Sequence, residues 1–215
     1  MKKVLNLLVL LISIICFSGC SCNKLNFAFF KDKVNDIDGY RYYVITQEIY
    51  NEELLLYKEE KNVYLNDEKY RIVVNTSIIA DLESENLYDE TEEVYYQSGD
   101  DFYYQENGKW KTKQKENSSE NIGVSISEEI FKSYSIKEEG GNKFLEGTLK
   151  DNSLDAFFGF DIEDVSDVKL SIEISNTDKV KNISIQYNAE NGNRVVVSIK
   201  VGYTQVIKFS LPTVE

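Results

Sequence analysis

From residue 168 to the end, polar and apolar positions alternate almost without interruption. Val168, Leu170, Ile172 and Ile174 alternate with Lys169, Ser171, Glu173 and Ser175. After a turn near Asn176, Ile183, Ile185 and Tyr187 continue the period. Asn191-Gly192 then leads to Val195, Val197, Ile199 and Val201, and Gly202 precedes Tyr203, Gln205, Ile207, Phe209 and Leu211. Successive side chains of a strand point to opposite faces, so this spacing predicts four antiparallel strands with one apolar face.

The same period runs upstream, less cleanly. Tyr43, Ile45 and Ile49 share a face of 40–50, and Leu54–Glu59 is a second apolar run. Tyr64 and Leu65 form a brief strand before Asn66-Asp67. Residues 69–80 bring Tyr70, Ile72, Val74 and Ile78 together, and Tyr88, Val94 and Tyr96 are in phase over 87–97. Residues 101–113 read as a hairpin around Asn107-Gly108, a pair that tolerates the positive φ angles of a type I′ turn. Phe102, Tyr104 and Trp110 are placed on its apolar face.

Helical signals are few. Leu25, Phe27, Phe29 and Phe30 suit an edge strand or a short helix. Ser125 and Glu128 have capping-box spacing, which predicts a two-turn helix within 125–134. Ser153 is a candidate cap for a short helix that carries Phe157, Phe158 and Phe160. Gly140-Gly141 marks a break before a strand over 143–149.

The opening residues have another pattern. Met-Lys-Lys is followed by an apolar run over 4–17, interrupted only by Asn6 and Ser13, then by Ser18-Gly19-Cys20. The run is shorter than the roughly 18 residues wanted to span a bilayer and matches the core of a secretory leader. Small residues before a cysteine resemble the lipobox of bacterial lipoproteins, with Phe17 where such motifs more often carry Leu. The organisation expected is a leader over 1–19, a lipidated N-terminus and tether over 20–38, and a single antiparallel β domain over 39–215. Cys20 would carry a covalent diacylglyceryl lipid, the only attached group expected, and two or more acyl chains anchor a protein firmly.

With Cys16 in the leader and Cys20 acylated, Cys22 has no partner, so a disulfide framework is excluded. Cys22 reads as a second acylation point, a free thiol or plain tether. Loss of Lys2 and Lys3 with the leader takes the formal net charge from −13 to −15. Such a field repels nucleic acid and anionic lipid surfaces alike, so the anchor, not electrostatics, would hold the domain at its membrane. Hydrophobic residues at 42% argue against disorder, and 15 tyrosines suit sheets, where the ring turns inward and the hydroxyl stays at the edge.

The chain has no histidine, which removes Ser-His-Asp triads and histidine zinc sites. No glycine-rich phosphate cradle follows a strand. Acidic pairs such as Glu59-Glu60, Glu92-Glu93 and Asp100-Asp101 read as solvated edges and turns. No metal site and no enzyme is expected.

Three features in order resemble the LolA-like and LppX-like lipid-carrier superfamily, among them half-barrel lipoproteins of low-GC Gram-positive bacteria. The first is Glu93-Val94-Tyr95-Tyr96-Gln97-Ser98-Gly99-Asp100, then Phe102-Tyr103-Tyr104, then Gly108-Lys109-Trp110. The second is the mid-chain segment 124–134. The third is the run from Lys169 to Ile207-Lys208-Phe209-Ser210-Leu211-Pro212. The resemblance implies a strongly curved antiparallel sheet, a half-barrel with one to three short covering helices and an apolar hollow. It also implies an outer-face, lipid-anchored location in a Gram-positive-type or wall-less bacterium. Trp110, Phe157, Phe158, Ile172, Ile185, Val197 and Ile207 are the candidate lining. Two functions stand side by side: a lipoprotein that binds or carries a lipid or other hydrophobic ligand, and a non-enzymatic structural or protein-interaction lipoprotein with a solid core. The expected partners are the membrane, a hydrophobic small molecule and envelope proteins, with no nucleic acid.

Overall fold

Alternation along the chain becomes eleven strands in one antiparallel sheet. A computed structural model describes residues 25–80, 87–114, 122–150, 153–158 and 165–214, apart from the side chains of residues 156 and 158. The strands are β1 (Tyr42–Asn51), β2 (Leu54–Asn66), β3 (Lys69–Ile79), β4 (Tyr88–Ser98), β5 (Asp101–Glu106), β6 (Lys109–Gln114), β7 (Phe131–Glu139), β8 (Asn142–Leu149), β9 (Ser166–Ile174), β10 (Val180–Asn188) and β11 (Arg194–Gly202). Among the described residues two α-helices accompany them, α1 (Phe27–Asn35) and α2 (Leu154–Phe158), with a 3-10 turn at Glu128–Ile130.

The sheet order is β6-β5-β4-β3-β2-β1-β11-β10-β9-β8-β7. The first six strands meander outward from the middle. The chain then passes to the far edge, and the last five meander back until β11 lies against β1. Tight turns hold the hairpins where the sequence supplies residues that tolerate positive φ: Asn107 at 53° with Gly108 at 75°, and Gly140 and Gly141 at 58° and 81°.

One face of β1 and β7–β11 is apolar, and α1, the segment 122–130 and α2 cover it. Asn26 caps α1, its side-chain oxygen accepting from Phe29 N at 3.1 Å. Phe27, Phe30 and Val34 then face the sheet. Ile122, Val124, Ile126 and Ile130 join them, with Leu154 and Phe157 from α2. Beneath lie Leu145, Ile172, Ile183 and Ile199, which are consecutive partners across β8 to β11.

The half-barrel expectation is overturned. The sheet is mainly antiparallel as expected, but it is open, with β6 and β7 as separate edges, and it is not strongly curled. Alternation fixes which face is apolar and leaves curvature unset. The outer wing has little to draw it around: residues 89–93 of β4 are exposed on both faces, and β5 pairs with β4 at only three positions.

Three local expectations also change. The helix over 125–134 is a 3-10 turn followed by strand β7, because the backbone upstream is bound to distant partners. Ser125 N donates to Phe157 O at 3.0 Å, and Ile126 N donates to the Asn35 side chain at 2.7 Å. The brief strands at 54–59 and 64–65 are one strand of 13 residues, paired on both sides through the polar stretch 58–62. The fourth C-terminal strand is absent from the sheet, since β11 already has β10 on one side and β1 on the other. Tyr203 still packs against the core, and farther on Phe209 meets Tyr96 of the opposite face at 5.8 Å between ring centroids.

Candidate functional site

The candidate lining residues divide between the two faces. Ile172, Ile185 and Phe157 belong to the covered face, at 0%, 1% and 1% exposure. Val197 pairs with Ile185 and is half-buried. Ile172, Ile185 and Phe157 come together inside packed core, where Phe30 and Ile126 close over the same sheet face at 0% and 1% exposure.

Trp110 lies elsewhere. It pairs with Gln105, whereas Phe102 pairs with Gln97 on one side and Lys113 on the other, so Trp110 and Phe102 are on opposite faces. Its ring meets Tyr96 edge-on at 5.3 Å. Ile207 is half-buried in the C-terminal segment, two residues before Phe209. Tyr42, Tyr64, Arg71 and Tyr96 share this second face, with Arg71 5.8 Å above the Tyr64 ring. Phe158's side chain, Cys20 and Cys22 fall outside the described residues.

Two of the surface grooves among the described residues bear on these faces. One of about 460 Å³ lies between the end of α1 and the crossing segment, lined by Val34, Ile37, Tyr40, Ile122, Val124 and Phe157 among others. The other, of about 560 Å³, lies on the second face of β7–β10, and most of the residues lining it are of polar type. Sequence reasoning missed it. Its signal is in Lys169 and Ser171, which fill the polar half of the alternation.

Several tyrosines are held protonated. A hydrogen bond to the Glu93 carboxylate, then burial, raise Tyr95 to about 12. Burial, then a 2.7 Å hydrogen bond to Glu59, do the same for Tyr57. Burial and the nearby Asp38 charge raise Tyr203 to about 12. The shifts of Tyr57 and Tyr95 fit structural donors bonded to carboxylates and place neither group near neutral pH. Among the described residues, no three His, Cys, Asp or Glu side chains are grouped to hold a metal ion. No described helix is long and apolar enough to cross a membrane.

No protein-family model and no curated protein matches the chain. Among solved structures it is similar to the crystal structure of LprF from Mycobacterium bovis, at 11% identity and a TM-score of 0.45, covering 85% of this chain and 95% of that one. At this identity and TM-score the likeness assigns neither family nor function.

Proposed function

We propose that the chain is a lipid-anchored protein of the outer membrane face, tethered through Cys20, whose solid-cored domain works through its surface and is not an enzyme. The observation that carries this reading is the filling of the covered face. Residues that would line a lipid hollow, Ile172, Ile185 and Phe157, are instead packed beneath α1 and the segment 122–130. A carried acyl chain draws its affinity from apolar wall left free to receive it, about 0.8 kcal/mol per CH₂ buried. Here that wall is already in contact with protein. The leader-like residues 1–19 and Ser18-Gly19-Cys20 support the tether, and the acidic charge supports partners other than nucleic acid.

The test uses Cys20→Ser in the cell that makes the protein. The variant is expected in the soluble fraction, without fatty-acid label; label that persists would overturn the anchor and point to Cys22. Titrating the soluble variant with a fluorescent fatty acid is expected to show no saturable binding. Saturable one-to-one binding would overturn the solid core.

A further inference from the structure

We propose that the polar groove on the second face of β7–β10 is a binding site for an uncharged, hydroxyl-rich ligand, a short pyranose chain. The strand register builds it. Ser135, Glu146, Ser171 and Ser184 are consecutive cross-strand partners, and so are Ser133, Thr148, Lys169 and Gln186. Two adjacent rows of four therefore present eight polar side chains to one groove of about 560 Å³. That volume is within the usual range for small-molecule sites. Neighbouring strands lie about 4.8 Å apart, so each row offers a hydrogen-bonding group at intervals close to the length of one ring in an extended glycan.

The chemistry of the rows selects the ligand. Serine and threonine hydroxyls and the Gln186 amide each donate and accept, as sugar hydroxyls do. Ser171, Ser184 and Gln186 are half-buried, and among the described residues their side chains form no hydrogen bond, so that capacity is open to a ligand. Charge is nearly balanced. Lys169 contributes one cation, and Glu146 is paired with Lys137 at 2.9 Å. A phosphate chain would want several cations, and an acyl chain would want apolar side chains, whereas the two rows present polar ones. Tyr134, paired with Gly147, turns the other way, its ring braced against Phe27 and Phe131 of the covered face. The floor is rigid, since Leu145, Leu170 and Ile172 beneath it are core residues. The site lies on the face away from the filled core and does not depend on how that core is read.

Saturation-transfer NMR on the full-length protein tests this with chitotetraose, cellotetraose and maltotetraose as probes and inorganic phosphate as the ionic control. Saturable binding of at least one tetrasaccharide is expected. Ser171→Val combined with Ser184→Val should weaken it at least tenfold with melting unchanged, since β-branched side chains suit strands. Gln186→Leu should weaken it separately. No saturable signal from any of the three sugars, equal binding by the variant, or phosphate binding lost in Lys169→Met would each overturn the proposal.

Discussion

Asn35 and Ile126, 91 residues apart, are joined by two hydrogen bonds. The Asn35 side-chain oxygen accepts from Ile126 N at 2.7 Å, and its amide nitrogen donates to Ile126 O at 3.2 Å. The side chain thus takes the place of a strand partner for one residue of the segment that crosses the core. Ile126 is 1% exposed, so its backbone groups have no easy recourse to water.

Asn35→Leu removes both bonds and leaves a buried N–H and C=O without partners. The expected loss is about 2–4 kcal/mol in chemical denaturation, the penalty of about 1–3 kcal/mol for an unsatisfied group applying twice in part. Asn35→Asp keeps the acceptor and should lose less. Equal stability of Asn35→Leu and the parent would show that the clamp contributes nothing.

Gly147 lies where β8 meets the ring of Phe131. A Cβ placed there would stand 2.6 Å from Ser133 O and 2.7 Å from a Phe131 ring carbon. Gly147→Ala should therefore disturb the β7–β8 edge and cost about 1–3 kcal/mol, the range for overpacking. Gly123→Ala, with nothing within 4 Å of the added carbon, is the control and should be nearly neutral in thermal melts.

Core and second face should respond differently to truncation. Ile172→Ala is expected to cost about 2–5 kcal/mol and Phe157→Ala about 3–5 kcal/mol, because each leaves a cavity in close-packed surroundings. Trp110→Ala, at a half-buried position near the sheet edge, should cost less than either by urea unfolding.

The chain foretells its turns and its C-terminal sheet half well, and its long-range connections poorly. Asn107-Gly108 and Asn191-Gly192 lie where hairpins turn, and the alternation from Val168 to Val201 is realised in three paired strands. These features are local and depend on residues within a few positions. Ile126 shows the converse. Its spacing from Ile130 suits a helix, but bonds to Asn35 and Phe157 hold that stretch extended, and no sequence window contains both partners. Phe209 has perfect strand alternation and no strand, because both edges of β11 are taken. Trp110 was grouped with Phe102 by its aromatic character, whereas the register of the hairpin sends them to opposite faces. Curvature has no signature in alternation, so the half-barrel rested on resemblance alone.

Alkaline pH should destabilise the fold through its bonded tyrosines. Tyr57 and Tyr95 have folded-state values near 12, above the ordinary value of 10. Protonation is therefore favoured by folding: their contribution is complete below pH 10 and is lost as pH rises toward 12. Stability measured by denaturant titration should fall across that window. Tyr57→Phe and Tyr95→Phe should flatten the fall, and an unchanged slope in the double variant would remove these two residues as its source.

The filled core is tested most directly by organic extraction of the purified membrane-anchored protein, with the released lipid quantified by mass spectrometry. Lipid covalently attached at Cys20 is expected, with no freely extractable lipid in stoichiometric amount. One extractable lipid molecule per chain, retained through washing and lost on Phe157→Ala, would contradict the filled core.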